Sequence, residues 1–204
     1  MNMKKLVILY LSFMMLGSAQ VRGEESFTFA GGAETWGGER IPLPTSFAPD
    51  MKVSGIEEIR FAPGMFKPDS DEFFTYVFVF SCPEGTWNES VIQREILTYY
   101  RGLSRMVSKG QVTEEDAAAF TFALEAAEAA HLPGDAKSAK TYAGKLNWTE
   151  PFKTLKPQVL HMEIATWQRE DAQQHYLFAS VSPKPREHAI WKSLRAIRES
   201  LVVK

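Results

Sequence analysis

Apolar side chains from residue 73 to 82 fall into two alternating sets, Phe73, Thr75, Val77 and Val79 against Phe74, Tyr76, Phe78 and Phe80. A strand that is apolar on both faces belongs in the interior of a sheet covered on both sides. Weaker strand patterns occupy residues 56–62, which stop at Pro63-Gly64, and residues 141–148, 159–168 and 175–182. The last two flank the polar stretch from Arg169 to Gln174 and read as a hairpin.

Between these strands the period changes from two to three or four. Ile92, Ile96, Tyr99, Leu103 and Met106 form one helical stripe, opened by a capping box from Thr86 to Glu89 and closed at Gly110. Thr113 caps a second predicted helix, whose first turn carries Glu114, Glu115 and Asp116 at the positive end of the helix dipole. Phe120, Ala123, Leu124 and Ala127 are its buried stripe, and Pro133-Gly134 ends it. A third helix over residues 186–201 turns Ile190, Leu194, Ile197 and Leu201 inward. The order is β-β-α-α-β-β-β-α. Grouped strands and helices indicate an α+β fold: an antiparallel sheet of about five strands with the helices packed on one face.

The hairpin can be read in register. Pairing Arg169 with Gln174 sets Met162 against Val181, Ile164 against Ala179 and Thr166 against Leu177, an apolar face for the helices. The opposite face then holds Trp167 beside Tyr176, Ala165 beside Phe178, Glu163 beside Ser180 and His161 beside Ser182. That face, half aromatic and half polar, is expected to be covered or used. Three coverings fit: the N-terminal arm, a second copy of the chain, or a small-molecule ligand among Trp167, Tyr176, Phe178, Glu163 and His161, the candidate site.

The first nineteen residues change the picture by saying where the chain goes. Lys4 and Lys5 precede an apolar run over residues 6–16, and Gly17-Ser18-Ala19 supplies small residues for a cut after Ala19. A second acceptable cut follows Gly23. A run of eleven residues, apolar except for Ser12, is too short to span a membrane, which takes about 20. The expectation is export, periplasmic or extracellular, as a soluble protein without membrane insertion after cleavage. Residues 24–55, rich in Gly, Pro and Ser, form an irregular arm carrying Phe27, Phe29, Trp36, Ile41, Leu43 and Phe47. Residues 56–204 are one α+β domain.

Composition narrows the partners. The net charge of −2 becomes −4 on cleavage after Ala19, or −5 after Gly23, so neither nucleic acid nor an anionic membrane surface is favoured. Cys82 is the single cysteine, so no internal disulfide forms and packing must carry the stability. It ends the most apolar run and reads as a buried, inert thiol. The sequons Asn88-Glu89-Ser90 and Asn147-Trp148-Thr149 matter only in a eukaryotic secretory pathway.

Candidate chemistry is sparse. His161 and Glu163 stand two apart on one strand face and could give a zinc ion two ligands, although such spacing also arises on any polar strand. Gly-x-Ser-x-Gly, His-Glu-x-x-His and the phosphate-binding glycine loop are absent, and no cofactor or metal is expected. Lys184, Arg186, Lys192, Arg195 and Arg198 make the last helix locally basic, either a solvated face or a dock for an acidic partner. The sequence thus points to an exported protein with a non-catalytic binding or assembly role. Its homodimer or a small-molecule complex is the partner to look for. An extracytoplasmic, metal-assisted hydrolase is the alternative.

Overall fold

The computed structural model describes residues 27–203 apart from 131, 133–135 and 170–173. The nineteen-residue leader, its cleavage sites and Pro133-Gly134, the expected end of the second helix, lie outside these residues. Strands β1 (Phe27–Thr28), β2 (Gly37–Leu43), β3 (Gly55–Phe61) and β4 (Tyr76–Cys82) come first. Helices α1 (Glu89–Val107) and α2 (Glu114–Ala118) follow. Then come β5 (Thr121–Ala126), β6 (Lys137–Thr149), β7 (Pro157–Arg169), β8 (Gln174–Ser182), helix α3 (Ile190–Glu199) and β9 (Val202–Val203). Among the described residues no helix is long and apolar enough to cross a membrane.

The mixed, antiparallel architecture is as expected, but the sheet is larger. Seven strands pair in the order β2-β3-β4-β8-β7-β6-β5, and β1 pairs separately with β9. All five expected strands are present. The two additions are the edges, which carry the weakest sequence signal because only one flank is paired. β2 arises inside the stretch expected to be an irregular arm; its Pro42 is tolerated because an edge strand need not donate every N–H.

β5 replaces most of the expected second helix. α2 is one turn long, capped reciprocally by Thr113 and Asp116. It stops because the Arg101 guanidinium on α1 donates to the carbonyls of Ala117, Ala118 and Phe120 at 2.9–3.1 Å, satisfying groups a continued helix would have used. Beyond it Phe120 and Phe122 are both buried, two residues apart, and the chain pairs with β6. Tertiary pairing overrides the helical preference of the alanines.

The expectation that all helices share one face is corrected. Ile92, Ile96, Tyr99, Tyr100 and Leu103 of α1 pack with Tyr76, Phe78, Phe80, Met162, Ile164, Leu177 and Ala179 on one side of the sheet. Trp191, Leu194 and Ile197 of α3 pack with Val77, Val79, Ala165, Trp167, Tyr176 and Phe178 on the other. A sequence pattern says which side of a helix is buried, not which side of a sheet receives it. Smaller boundaries also move. Asn88, not Thr86, caps α1, accepting from the Val91 N–H at 3.0 Å. β4 begins at Tyr76 because Phe74 takes a positive φ of 52° in the preceding turn, and α3 begins at Ile190 after a turn at residues 185–188.

The hairpin register holds at every expected pair, from His161–Ser182 through Arg169–Gln174. In β4 the parity also holds, with Val77 and Val79 on the α3 side and Tyr76, Phe78 and Phe80 on the α1 side. Phe73, expected beside Val77, instead packs on the α1 side with Phe74, because the positive φ at Phe74 breaks the alternation before the strand.

Candidate functional site

The aromatic half of the sequence-derived site is core. Trp167 and Tyr176 are 3 % exposed and Phe178 is fully buried. Trp167 stacks on Tyr176 with centroids 5.1 Å apart, and Phe27 meets Tyr176 edge-on at 5.4 Å. The face is covered by α3 together with the start of the arm, Phe27 and Phe29. Arg60, on the same side of β3, lies 4.7 Å over the Phe29 ring.

The polar half is an ion cluster. Arg195 holds the Glu163 carboxylate through Nε and Nη2 at 2.6–3.2 Å, and Arg198 Nη1 donates to it at 3.0 Å. Two bases of the last helix are therefore spent pinning α3 to β7. Glu163 raises the Arg195 pKa further by hydrogen bonding. His161 is partly exposed, and burial, with help from Arg186 and Lys145, holds its imidazole below the usual value. Glu163 is thus brought to two arginines rather than to His161 and an ion. Among the described residues no three His, Cys, Asp or Glu side chains gather as a metal site.

A different constellation lies on the α1 side, between the β2–β3 edge and the helix. Phe61, Phe66, Phe152, Phe74 and Tyr76 make a closed circuit of ring contacts. Successive centroids lie 6.2, 5.8, 5.6, 5.8 and 6.3 Å apart. All five line a cavity of about 30 Å³, with Ile41, Phe47, Ile59, Met65, Tyr99, Leu103 and Glu39 completing the wall. Glu39 is its single charged wall residue. It has no hydrogen-bond or ion-pair partner among the described residues, and burial pushes its carboxyl up to about 7.

Behind this wall stands Glu57, fully buried on β3, opposite Ile41 and Phe80 in the register. The Tyr99 hydroxyl donates to its Oε1 at 3.1 Å, while Oε2 finds no partner among the described residues. Burial raises the Glu57 carboxyl to about 8, outweighing the Tyr99 hydrogen bond, with Glu39 adding to the rise. It is a neutral acid at pH 7. Next to it the Tyr76 and Tyr100 hydroxyls bond to each other.

The cavity rings are held from loops as well as strands. Phe74 is a buried aromatic residue at positive φ, a conformation bulky residues rarely adopt and one that concentrates at sites. Its N–H donates to the Met65 carbonyl at 3.0 Å, while Glu72 accepts from the Gly64 N–H at 2.7 Å. Phe47 comes close because Gly102 on α1 leaves room. A Cβ there would lie 2.1 Å from the Phe47 carbonyl oxygen.

Phe152 is set by Glu150, fully buried, whose carboxylate accepts from the N–H groups of Phe152, Lys153 and Thr154 and from the Thr154 hydroxyl. Removing an anionic acceptor strands those donors, so Glu150→Ala is expected to cost about 2–3 kcal/mol in denaturant unfolding. Glu150→Gln, which keeps one acceptor, is expected to cost less. Equal stability of both variants and the parent would show that solvent serves those donors as well.

Sequence reasoning missed this site because Glu39 lay in a stretch expected to be irregular and Glu57 in a loosely alternating strand. One signal was present: Glu57 has the same parity as Ile59 and Phe61, which marks a carboxylate on an inward face. Cys82 is buried, and desolvation pushes its thiol up to about 12, so it offers no thiolate. No family model and no curated protein matches this chain.

Proposed function

We propose that this chain is exported and that its mature form is a non-catalytic binding protein, taking a small molecule in the aromatic cavity between α1 and the β2–β3 edge. Export rests on the basic, apolar and small-residue succession of the first nineteen positions. The binding role rests on one observation above the others: a partnerless, half-buried carboxylate, Glu39, in the wall of a five-ring cavity. Glu39 has no protein partner among the described residues and its carboxylate is not sealed from solvent, so the acid in this apolar wall is open to a ligand. Convergent polar groups in an apolar hollow, with shifted pKa values, are the usual mark of a ligand site. The absence of catalysis is supported by the inert Cys82 thiol and by the engagement of Glu163 with two arginines, which leaves His161 without its expected co-ligand.

Native mass spectrometry of the protein purified from its own host tests this reading. The expected species starts at Gln20 or Glu24, with extra mass that leaves on mild denaturation and is absent from Glu39→Gln. A chain that keeps its first nineteen residues and stays inside the cell would overturn the export reading. Extra mass retained in full by Glu39→Gln would overturn the role of Glu39 in holding the ligand.

A further inference from the structure

We propose, resting on the reading of this cavity as the binding site, that its ligand is a primary alkylammonium ion whose charged head sits within the ring circuit beside Glu39. Aromatic rings present negative faces and positive edges, so each ring that turns its face to the hollow attracts a cation. Here Phe61, Phe66, Phe74, Tyr76 and Phe152 each touch the next, and every member lines the hollow. The wall's one charge is negative, and it lacks a counter-ion among the described residues. An anion would meet the Glu39 carboxylate with no positive group in the wall to offset it. A neutral apolar ligand would leave Glu39 desolvated and unpaired.

Size selects the head group. A cavity of about 30 Å³ holds two or three water-sized atoms, where one water takes roughly 10–15 Å³ on this measure. That suits an ammonium group with its first carbon, and is tight for a trimethylated one. Phe47, Phe61, Phe66 and Phe152 are half-buried and shelter the alkyl tail towards solvent.

In the free protein a proton on Glu39 substitutes for the missing cation, because burial brings its carboxyl to about 7. The titratable groups near it are Glu57 on β3, neutral below about 8, and Tyr76 on β4 and Tyr99 on α1, whose hydroxyls burial keeps protonated. Ligand and proton therefore compete. Affinity should rise about tenfold from pH 6 to pH 8 as Glu39 changes from mostly protonated to mostly ionised.

The test is an NMR titration of the mature protein with butylammonium chloride at matched ionic strength, beside the neutral isostere 1-butanol. Expected are shifts at cavity residues, at least tenfold tighter binding of butylammonium than of butanol at pH 8, and loss of that preference in Glu39→Gln. Phe66→Leu, which keeps bulk but removes a ring, should weaken butylammonium several-fold and leave butanol unchanged. Equal binding of the two probes, unaffected by Glu39→Gln, would overturn the ammonium assignment while leaving the cavity a binding site. Shifts at no cavity residue with either probe would overturn both readings.

Discussion

Unfolding by denaturant at pH 5 and at pH 8 is expected to show a protein that loses several kcal/mol as the solution becomes more alkaline. Glu57 is the main cause. Its carboxyl is raised from 4.5 to about 8 by burial, so the folded state holds a proton that the unfolded chain releases. A raised pKa gives stability that is complete below about 4.5 and declines as pH rises to about 8, beyond which both states are ionised. At 1.36 kcal/mol per unit, the shift sets a ceiling of about 5 kcal/mol. Glu39, raised to about 7, acts in the same direction with a smaller weight because it is only half-buried.

The opposing groups act in a different window. Asp71 is held below the usual carboxylate range by Lys184, and Asp116 by the Thr113 N–H, so their contributions fade only in acid. Glu57→Gln isolates the effect. The amide can still accept from Tyr99 and cannot ionise, so the slope between pH 5 and pH 8 should flatten. An unchanged slope would show that Glu57 ionises in the fold without penalty, with its Oε2 served by water. This pH range is also where ligand binding at Glu39 is expected to change, so a bound ammonium should restore part of the stability lost at pH 8.

Trp167→Ala is expected to destabilise the fold by about 4 kcal/mol rather than to weaken binding in a folded domain. The indole is 3 % exposed, stacked on Tyr176, and part of the cluster that buries Trp191, Leu194 and Ile197 of α3. Its truncation leaves a hole that α3 cannot fill, since Arg195 and Arg198 tie that helix to Glu163. Trp167→Phe should cost much less, because the indole N–H has no partner among the described residues and its loss strands nothing. Thermal or denaturant unfolding of the two variants decides the matter. A folded Trp167→Ala protein of parental stability would return the aromatic sheet face to the list of binding surfaces.

The sequence by itself determined the strand pairs and their faces. Period-two alternation fixed the β7–β8 register residue by residue, because a slip of one position would have put Ile164 and Ala179 on opposite sides of the sheet. It also showed that β4 is covered on both faces and that Cys82 is buried. Those properties belong to a few neighbouring residues, and local chemistry is enough to state them.

Tertiary structure decided what depends on partners distant in the chain. It ended α2 through Arg101 and made β5 from alanines that favour helix, and it recruited β2 from a Gly- and Pro-rich stretch as an edge. It put α3 opposite α1, and so turned Trp167, Tyr176 and Phe178 into core and Glu163 into the anchor of two arginines. The cavity has the same origin. Glu39, Phe61, Phe74, Tyr99 and Phe152 come from separate strands, loops and a helix, and only their convergence makes a half-buried acid in an aromatic-lined hollow. Each side chain alone is ordinary; burial and proximity, which no local pattern encodes, give the group its chemistry.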